Sequence, residues 1–268
     1  MKDVLQIDYS AFDRPEILRF LFHPRSEESI SPPIEDAKDF TIPVEDGLFI
    51  GARLHDFDKA APVILFFHGN GEIVSDYNDF GPVYSNMGIN FLPVDYRGYG
   101  RSTGSPTVTG MMRDCHTIFD YFRKWLDTHG YTGPLIVMGR SLGSASALEL
   151  AENYQDEIDG LIIDSGFAYF MPLLKLLGVN LHAMEIREQG GLRNIDKVRN
   201  FYKPVRFIHA EYDHIIPFSD AQALFEACPA SDKKLLKIPG ADHNTIFYYG
   251  MNEYMNSVKD LLQTLTVS

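Results

Sequence analysis

A short apolar strand, a glycine-flanked serine and a helix follow one another near the middle of the chain. The apolar run 135–138 predicts a buried strand, and residues 139–143 (GRSLG) then fit the pattern G-x-S-x-G. The alanine and leucine residues that follow predict a helix. This context can hold a serine hydroxyl as a nucleophile, because the glycines allow strand and helix to approach closely. Ser141 would lie at a helix N-terminus, where backbone N–H groups favour negative charge. The alternative interpretation is an ordinary glycine-rich turn.

Apolar runs that predict strands alternate with helical patterns along most of the chain. Strands are predicted at 62–67, 89–94, 135–138, 161–163, 205–208 and 235–238. Two further strands, 39–43 and 48–54, flank a glycine-containing turn and predict an antiparallel hairpin. Helices are predicted around 77–87, at 107–129 and at 245–265. Strands alternating with helices indicate parallel pairing with helices on both faces of the sheet. We therefore predict an α/β fold in a single domain, 1–268.

Two stretches fit this alternation less simply. In the N-terminal extension, 1–37, a short helix with proline in its first turn is predicted at 14–22, and a loop at 29–33. The interval 166–203 is long for one connection and predicts a crossover helix plus a small lid insertion. Its apolar stretch 167–177 would then supply an acyl pocket. The alternative is a core-facing helix followed by a surface loop.

Composition narrows the class of partner. The net charge of −13 at pH 7 would repel nucleic acid and anionic membranes. In residues 1–8 an aspartate interrupts the apolar core that a signal peptide would need, so no signal peptide is predicted there. No apolar run reaches the length of about 18 residues that a membrane span requires. We therefore predict a cytoplasmic protein without stable membrane insertion. Cys115 and Cys228 lie in helical apolar patterns, which predicts two small buried side chains rather than a disulfide or a metal site.

A serine nucleophile needs a base and an acid, and chain order suggests both. His243 follows the last predicted strand and precedes the last helix, where the order serine, acid, histidine places the base. Asp213 follows the strand 205–208 and would fix the tautomer of His243. Three other carboxylates are alternative candidates for the acid: Glu211, Asp164 and Asp242.

Acyl transfer also needs two donors for the oxyanion. The backbone N–H of Leu142, directly after the serine, is one candidate, and the N–H of Asn70, after the strand 62–67, is the other. His68 is assigned a structural role in the same loop. Arg140 is predicted either to face solvent or a loop, or to pair with a nearby carboxylate.

Residues at five places together resemble the α/β-hydrolase superfamily of serine hydrolases: 68–71 (HGNG), 95–102 (DYRGYGRS), 139–143, Asp213 and His243. The resemblance covers about residues 40–266 in the expected order. The turn 139–143, a nucleophile elbow in this superfamily, and the 95–102 loop are most similar to the compact, small-capped branch that includes serine peptidase-like hydrolases and protein depalmitoylating thioesterases. The resemblance implies a mostly parallel eight-stranded sheet, a Ser–Asp–His triad and no metal or organic cofactor.

These features predict a hydrolase that cleaves carboxylic ester or thioester bonds through an acyl-enzyme. The substrate would be a small molecule or acylated molecule with an apolar acyl group. The alternatives are a peptidase of the same fold and a non-catalytic binding protein, because fold does not fix function. Haloalkane or epoxide hydrolysis needs an aspartate at the elbow, which Ser141 disfavours. The oligomeric state is left open.

Overall fold

The computed structural model describes residues 7–27, 37–181 and 191–266. The chain divides into two compact units, residues 1–135 and 136–268. The prediction of a single domain stays a prediction.

The first unit contains an antiparallel hairpin followed by two parallel strands. Its strands are β1 (Ala37–Glu45), β2 (Leu48–His55), β3 (Val63–Phe67) and β4 (Asn90–Val94). Its helices are α1 (Pro15–Leu21), α2 (Phe80–Ser85) and α3 (Val108–Thr128). β1 pairs with β2 and β2 with β4 in antiparallel orientation, and β3 pairs with β4 in parallel. The predicted hairpin, short N-terminal helix and long helix are thereby confirmed.

The hairpin and α3 form part of the first core. Gly47 closes the turn with a φ of +74°, a backbone conformation that glycine adopts without strain. Phe40 on β1 points inward, and its ring makes edge contacts with Phe122 and Trp125 of α3 at centroid distances of 5.1 and 5.0 Å. Such aromatic pairs add to the stability gained from burial alone.

The segment that follows α1 is bound to two loops of the first unit. Ser26 forms a parallel bridge with Gly100, and the Arg25 carbonyl accepts the N–H of Gly100 at 2.8 Å. Arg25 also pairs with Asp76. The loop predicted at 29–33 lies outside the described residues.

His55, at the end of β2, gives the first unit a pH-dependent stability. Burial, together with the charge of Arg53, lowers the pKa of His55 from 6.5 to about 4, with Asp39 opposing the shift. Between these values the unfolded chain binds a proton that the folded chain does not, so the free energy of unfolding falls as the pH is lowered. We expect a loss of about 2 kcal/mol between pH 7.5 and pH 5 from this group.

Urea unfolding at both pH values, on wild type and His55→Gln, would measure this loss. Between pH 7.5 and pH 5, the free energy of unfolding of His55→Gln should fall by about 2 kcal/mol less than that of wild type. His129→Gln at the end of α3 is the control, since that ring is exposed, and it should keep the wild-type pH dependence. Equal pH dependence in wild type and His55→Gln would contradict the prediction.

The second unit contains parallel strands connected by helices. Its strands are β5 (Leu135–Arg140), β6 (Gly160–Asp164), β7 (Val205–Ala210) and β8 (Lys233–Ile238). Its helices are α4 (Gly143–Asn153), α5 (Phe170–Leu176), α6 (Asn194–Lys197), α7 (Phe218–Ala227) and α8 (Ile246–Thr266). The strands pair in the order β5–β6–β7–β8, all parallel. Because their carboxyl ends lie at one edge of the sheet, the loops that follow them meet there.

The predicted lid interval is only partly described. The apolar stretch 167–177 includes α5, and several of its side chains are buried, among them Phe167 and Leu174, whereas Leu176 is exposed. α6 is held to α4 by a buried ion pair in which Lys197 Nζ lies 2.5 Å from Glu149 Oε2. Residues 182–190 lie outside the described residues, so the lid stays a prediction.

Candidate active site

The turn between β5 and α4 has the geometry that its glycines predicted. Ser141 has a φ of +50°, in the left-handed region that costs a non-glycine residue energy. A Cβ added to Gly139 would lie 2.3 Å from the carbonyl oxygen of Gly143, so only glycine fits there. The Ser141 N–H donates to the carbonyl of Asp164 at 2.8 Å. The strained serine is thus held by a backbone bond to the neighbouring strand.

His243 lies in the loop between β8 and α8 and reaches the serine. Its Nε2 is 3.0 Å from Ser141 Oγ, and its Nδ1 is 2.6 Å from Asp213 Oδ2. The ring is only 6% exposed. The preceding Asp242 instead accepts the N–H groups of Asn244 and Thr245, which closes the turn that presents the histidine. With Nδ1 protonated and bonded to Asp213, Nε2 is free to accept the serine proton.

Asp213 follows β7, and its two carboxylate oxygens have different partners. Oδ1 accepts the N–H groups of Ile215 and Ile216 at 2.9 and 2.8 Å, whereas Oδ2 faces His243. Burial would raise the pKa of Asp213, but hydrogen bonds with His209 and His243 and the backbone of Ile216 hold it well below its ordinary value of 3.8. The carboxylate therefore stays ionised at neutral pH, as a partner for an imidazolium must.

Two of the alternative candidates for the acid have different roles. Glu211 accepts the N–H of Gly240 at 3.1 Å and pairs with Lys237 at 3.2 Å at the surface. Asp164 is fully buried and pairs with Arg140, whose Nη1 lies 3.2 Å from Asp164 Oδ2. The structure brings Asp213, and neither of these, to His243 Nδ1. It also decides between the alternatives for Arg140, which pairs with a carboxylate.

The two predicted oxyanion donors lie in different units, and each has a clear local setting. Leu142 immediately precedes α4 and is buried, so its N–H belongs to the first turn of a helix. Asn70 follows β3, and its Oδ1 accepts the His23 N–H at 2.8 Å and the Tyr99 hydroxyl at 2.7 Å. The structure thus shows how the Asn70 side chain is held, while the donor role of its N–H stays a prediction.

The structural role predicted for His68 agrees with its surroundings. The ring is fully buried, its Nδ1 lies 2.8 Å from the carbonyl of Gly69, and it packs against Tyr96 at a centroid distance of 4.7 Å. Asp95, at the start of the 95–102 loop, accepts the N–H of Val74 at 2.9 Å. Cys115 and Cys228 are buried as predicted.

One buried side chain at the site was missed from the sequence. His209 lies on β7, and its Nε2 is 2.7 Å from the carbonyl of Ile216 and 3.4 Å from Asp213 Oδ2. It therefore helps to hold the loop that carries the acid. A histidine in a buried strand, four residues before the candidate acid, was the available signal.

Neither a metal cluster nor a membrane span is found in the described parts of the chain. Within residues 7–27, 37–181 and 191–266, no three His, Cys, Asp or Glu side chains are arranged to hold a metal ion. Over the same residues, none of the helices is both long enough and apolar enough to cross a bilayer.

Comparison with known proteins decides the family. A family model described as serine aminopeptidase, S33, matches residues 58–184. Human alpha/beta hydrolase domain-containing protein 17B is 30% identical over 215 residues, which cover 76% of this chain and 67% of that protein. The chain belongs to the α/β-hydrolase superfamily. The resemblance stated from the sequence is therefore confirmed.

Other relatives of this α/β hydrolase extend the comparison. Membrane protein YNL320W of Saccharomyces cerevisiae is 32% identical over 187 residues, 67% of this chain and 62% of that protein. The chain thus spans less than two thirds of the length of some of its relatives. The structure of Est1E from Butyrivibrio proteoclasticus with bound ferulic acid matches with a TM-score of 0.66 at 19% identity, covering 85% of this chain and 100% of that one. That likeness confirms the predicted fold, an α/β hydrolase with a mostly parallel eight-stranded sheet.

Proposed function

We propose that this α/β hydrolase is a serine hydrolase that cleaves carboxylic ester or thioester bonds through an acyl-enzyme. One observation carries the proposal: Ser141, His243 and Asp213 form a continuous chain of hydrogen bonds of 3.0 and 2.6 Å. All three side chains are nearly buried, at 9, 6 and 7% exposure. A serine with an adjacent base and an orienting acid is the arrangement that activates a hydroxyl for attack.

In the acylation half of the reaction, Ser141 Oγ attacks the substrate carbonyl while His243 Nε2 takes its proton. Asp213 stabilises the resulting imidazolium through the bond to Nδ1. The N–H groups of Leu142 and Asn70 are proposed to donate to the oxyanion of the tetrahedral intermediate. When that intermediate collapses, the bond to the leaving oxygen or sulfur breaks, and His243 donates its proton to the leaving group.

In the deacylation half, His243 takes a proton from water, and the hydroxide formed attacks the acyl carbonyl. Collapse of the second intermediate breaks the bond to Ser141 Oγ, which regains a proton from His243, and a carboxylic acid is released. Each step uses water and groups of this chain.

Peptide hydrolysis is the second candidate, because the matching family model is described as a serine aminopeptidase. An amide demands more of the general acid, since its amine must be protonated as it leaves. The proposed preference for an apolar acyl group rests on the apolar residues of 167–177. The proposed cytoplasmic location rests on the sequence, whereas one relative is named a membrane protein.

A substrate panel tests the choice between these bonds. The panel contains p-nitrophenyl esters and acyl thiocholines with acyl chains of about two to twelve carbons, a range over which an apolar pocket distinguishes chain lengths. We expect kcat/KM for these substrates to exceed kcat/KM for aminoacyl coumarin amides by about 100-fold or more. This ratio corresponds to about 2.7 kcal/mol in transition-state binding. The ester values should rise with acyl length before levelling off, since each buried methylene adds about 0.8 kcal/mol. A preference for the aminoacyl amide would replace this proposal by the peptidase.

A further inference from the structure

Arg140, the residue before the candidate nucleophile, has its charge buried beside the site. Only 5% of it is exposed, and its partner Asp164 is fully buried at the end of β6. Its Nη1 lies 3.2 Å from Asp164 Oδ2, and its Nη2 donates to the main-chain carbonyl of His243 at 2.8 Å. One guanidinium therefore contacts both a neighbouring strand and the backbone of the candidate base.

Asp164 connects this contact to the serine. Its main-chain carbonyl accepts the N–H of Ser141 at 2.8 Å. Its carboxylate also accepts the hydroxyls of Ser165 at 2.8 Å and Tyr254 at 3.1 Å. The pair thus links the backbone of the nucleophile with the backbone of the base through hydrogen bonds between buried groups.

Stability alone is a weak reason for such a pair. Removing two charges from water costs free energy that their attraction barely offsets, and apolar residues of similar volume often serve as well. Arginine offers what they cannot, a planar fork whose donors keep a fixed angle to each other. Here the fork holds a carboxylate with one donor and the His243 carbonyl with another.

We propose that Arg140 is a positioning residue that sets the distance between His243 Nε2 and Ser141 Oγ by holding the His243 carbonyl, with Asp164 as its counter-ion. It touches no reacting atom and acts through the histidine. The inference rests on the proposed function of Ser141 and His243. Displacements of about 1 Å in such a geometry can cost roughly 100-fold in rate.

Arg140→Lys tests this role, because lysine keeps the charge for Asp164 but lacks the fork that also reaches His243. The matched control is Arg206→Lys on β7. Arg206 is also fully buried and paired with two carboxylates, Asp232 at 3.0 Å and Asp260 at 2.7 Å. Hydrolysis of p-nitrophenyl butyrate, the rate of fluorophosphonate labelling and the thermal midpoint would be measured for wild type and both variants.

We expect Arg140→Lys to lower kcat and the labelling rate by about 10- to 100-fold with KM changed less than about threefold, because positioning acts on the chemical step. Arg206→Lys should keep wild-type kcat even where its thermal midpoint falls. Unchanged kcat in Arg140→Lys, or an equal loss of kcat in Arg206→Lys, would overturn the proposal.

A second variant covers the case in which Arg140→Lys does not fold. Arg140→Gln combined with Asp164→Asn removes both charges together, so no unpaired charge is buried. This double variant should fold and show the same loss of kcat at similar KM, and wild-type kcat in it would overturn the proposal.

If wild type shows no turnover that depends on Ser141, the proposed function fails and the inference with it. Ser141-dependent turnover that both Arg140 variants leave unchanged refutes the positioning role alone.

Discussion

Replacing Ser141 by alanine is expected to lower kcat for ester hydrolysis by about 10⁶-fold, because the residues of the proposed triad would act as one unit, and removal of the nucleophile would disable all of them. The fold should survive, since the hydroxyl lost is a single polar group at the edge of the core. A residual rate above that in water would remain, arising from the oxyanion donors and substrate binding.

Intact-mass analysis after fluorophosphonate treatment measures the same prediction without a substrate. Wild type should gain one adduct, and Ser141→Ala should gain none. Ser146→Ala is the matched control, because Ser146 is a fully buried serine on α4 outside the triad, and it should label like wild type. Labelling or near-wild-type turnover in Ser141→Ala would remove Ser141 from the mechanism. A well-folded wild type that takes no adduct would favour the binding-protein alternative.

Asp213→Asn is expected to lower kcat by about 10⁴-fold, because the amide would fix the wrong tautomer of His243. Two backbone N–H groups, those of Ile215 and Ile216, point at Oδ1. The amide oxygen of the variant must take that place, which leaves the NH₂ group facing His243 Nδ1. The histidine would then accept at Nδ1 and carry its proton on Nε2, where it cannot take the proton of Ser141.

Glu211→Gln is the matched control for this variant. Glu211 lies two residues from Asp213 and has surface partners in Lys237 and Gly240. Its replacement by glutamine, like that of Asp213 by asparagine, converts a carboxylate into an amide. We expect its kcat to stay within about threefold of wild type, as for a surface ion pair of small worth. Steady-state kinetics on both variants decide the matter. An Asp213→Asn enzyme with kcat near wild type, or a larger loss in Glu211→Gln, would assign the acid elsewhere.

Much of the candidate site follows from local patterns. Gly139 and Gly143 mark the sharp turn, and strand ends mark the loops that carry Asp213 and His243. In a parallel sheet these loops meet at one edge, so chain order alone predicts which residues come together. Glu211 lies nearer the end of the strand than Asp213, which favours Asp213 as the acid. In the structure the Asp213 carboxylate faces His243, whereas Glu211 has its partners at the surface.

The partners of Arg140 could not be predicted in this way. They lie 24 and 103 residues away along the chain, at Asp164 and His243. No periodicity or turn signal reports on contacts of that kind, because they depend on how strand ends are packed side by side. For the same reason the sequence left the surroundings of residues 7–27 undefined.

The contacts of the N-terminal segment carry a practical consequence for anyone who shortens the gene. The family match begins at residue 58, and an alignment would suggest trimming the chain there. Such trimming would delete the hairpin strands and His23, whose N–H binds Asn70. A fragment that begins at residue 58 would lack these contacts, so a low activity of that fragment would not by itself report on Ser141, Asp213 or His243.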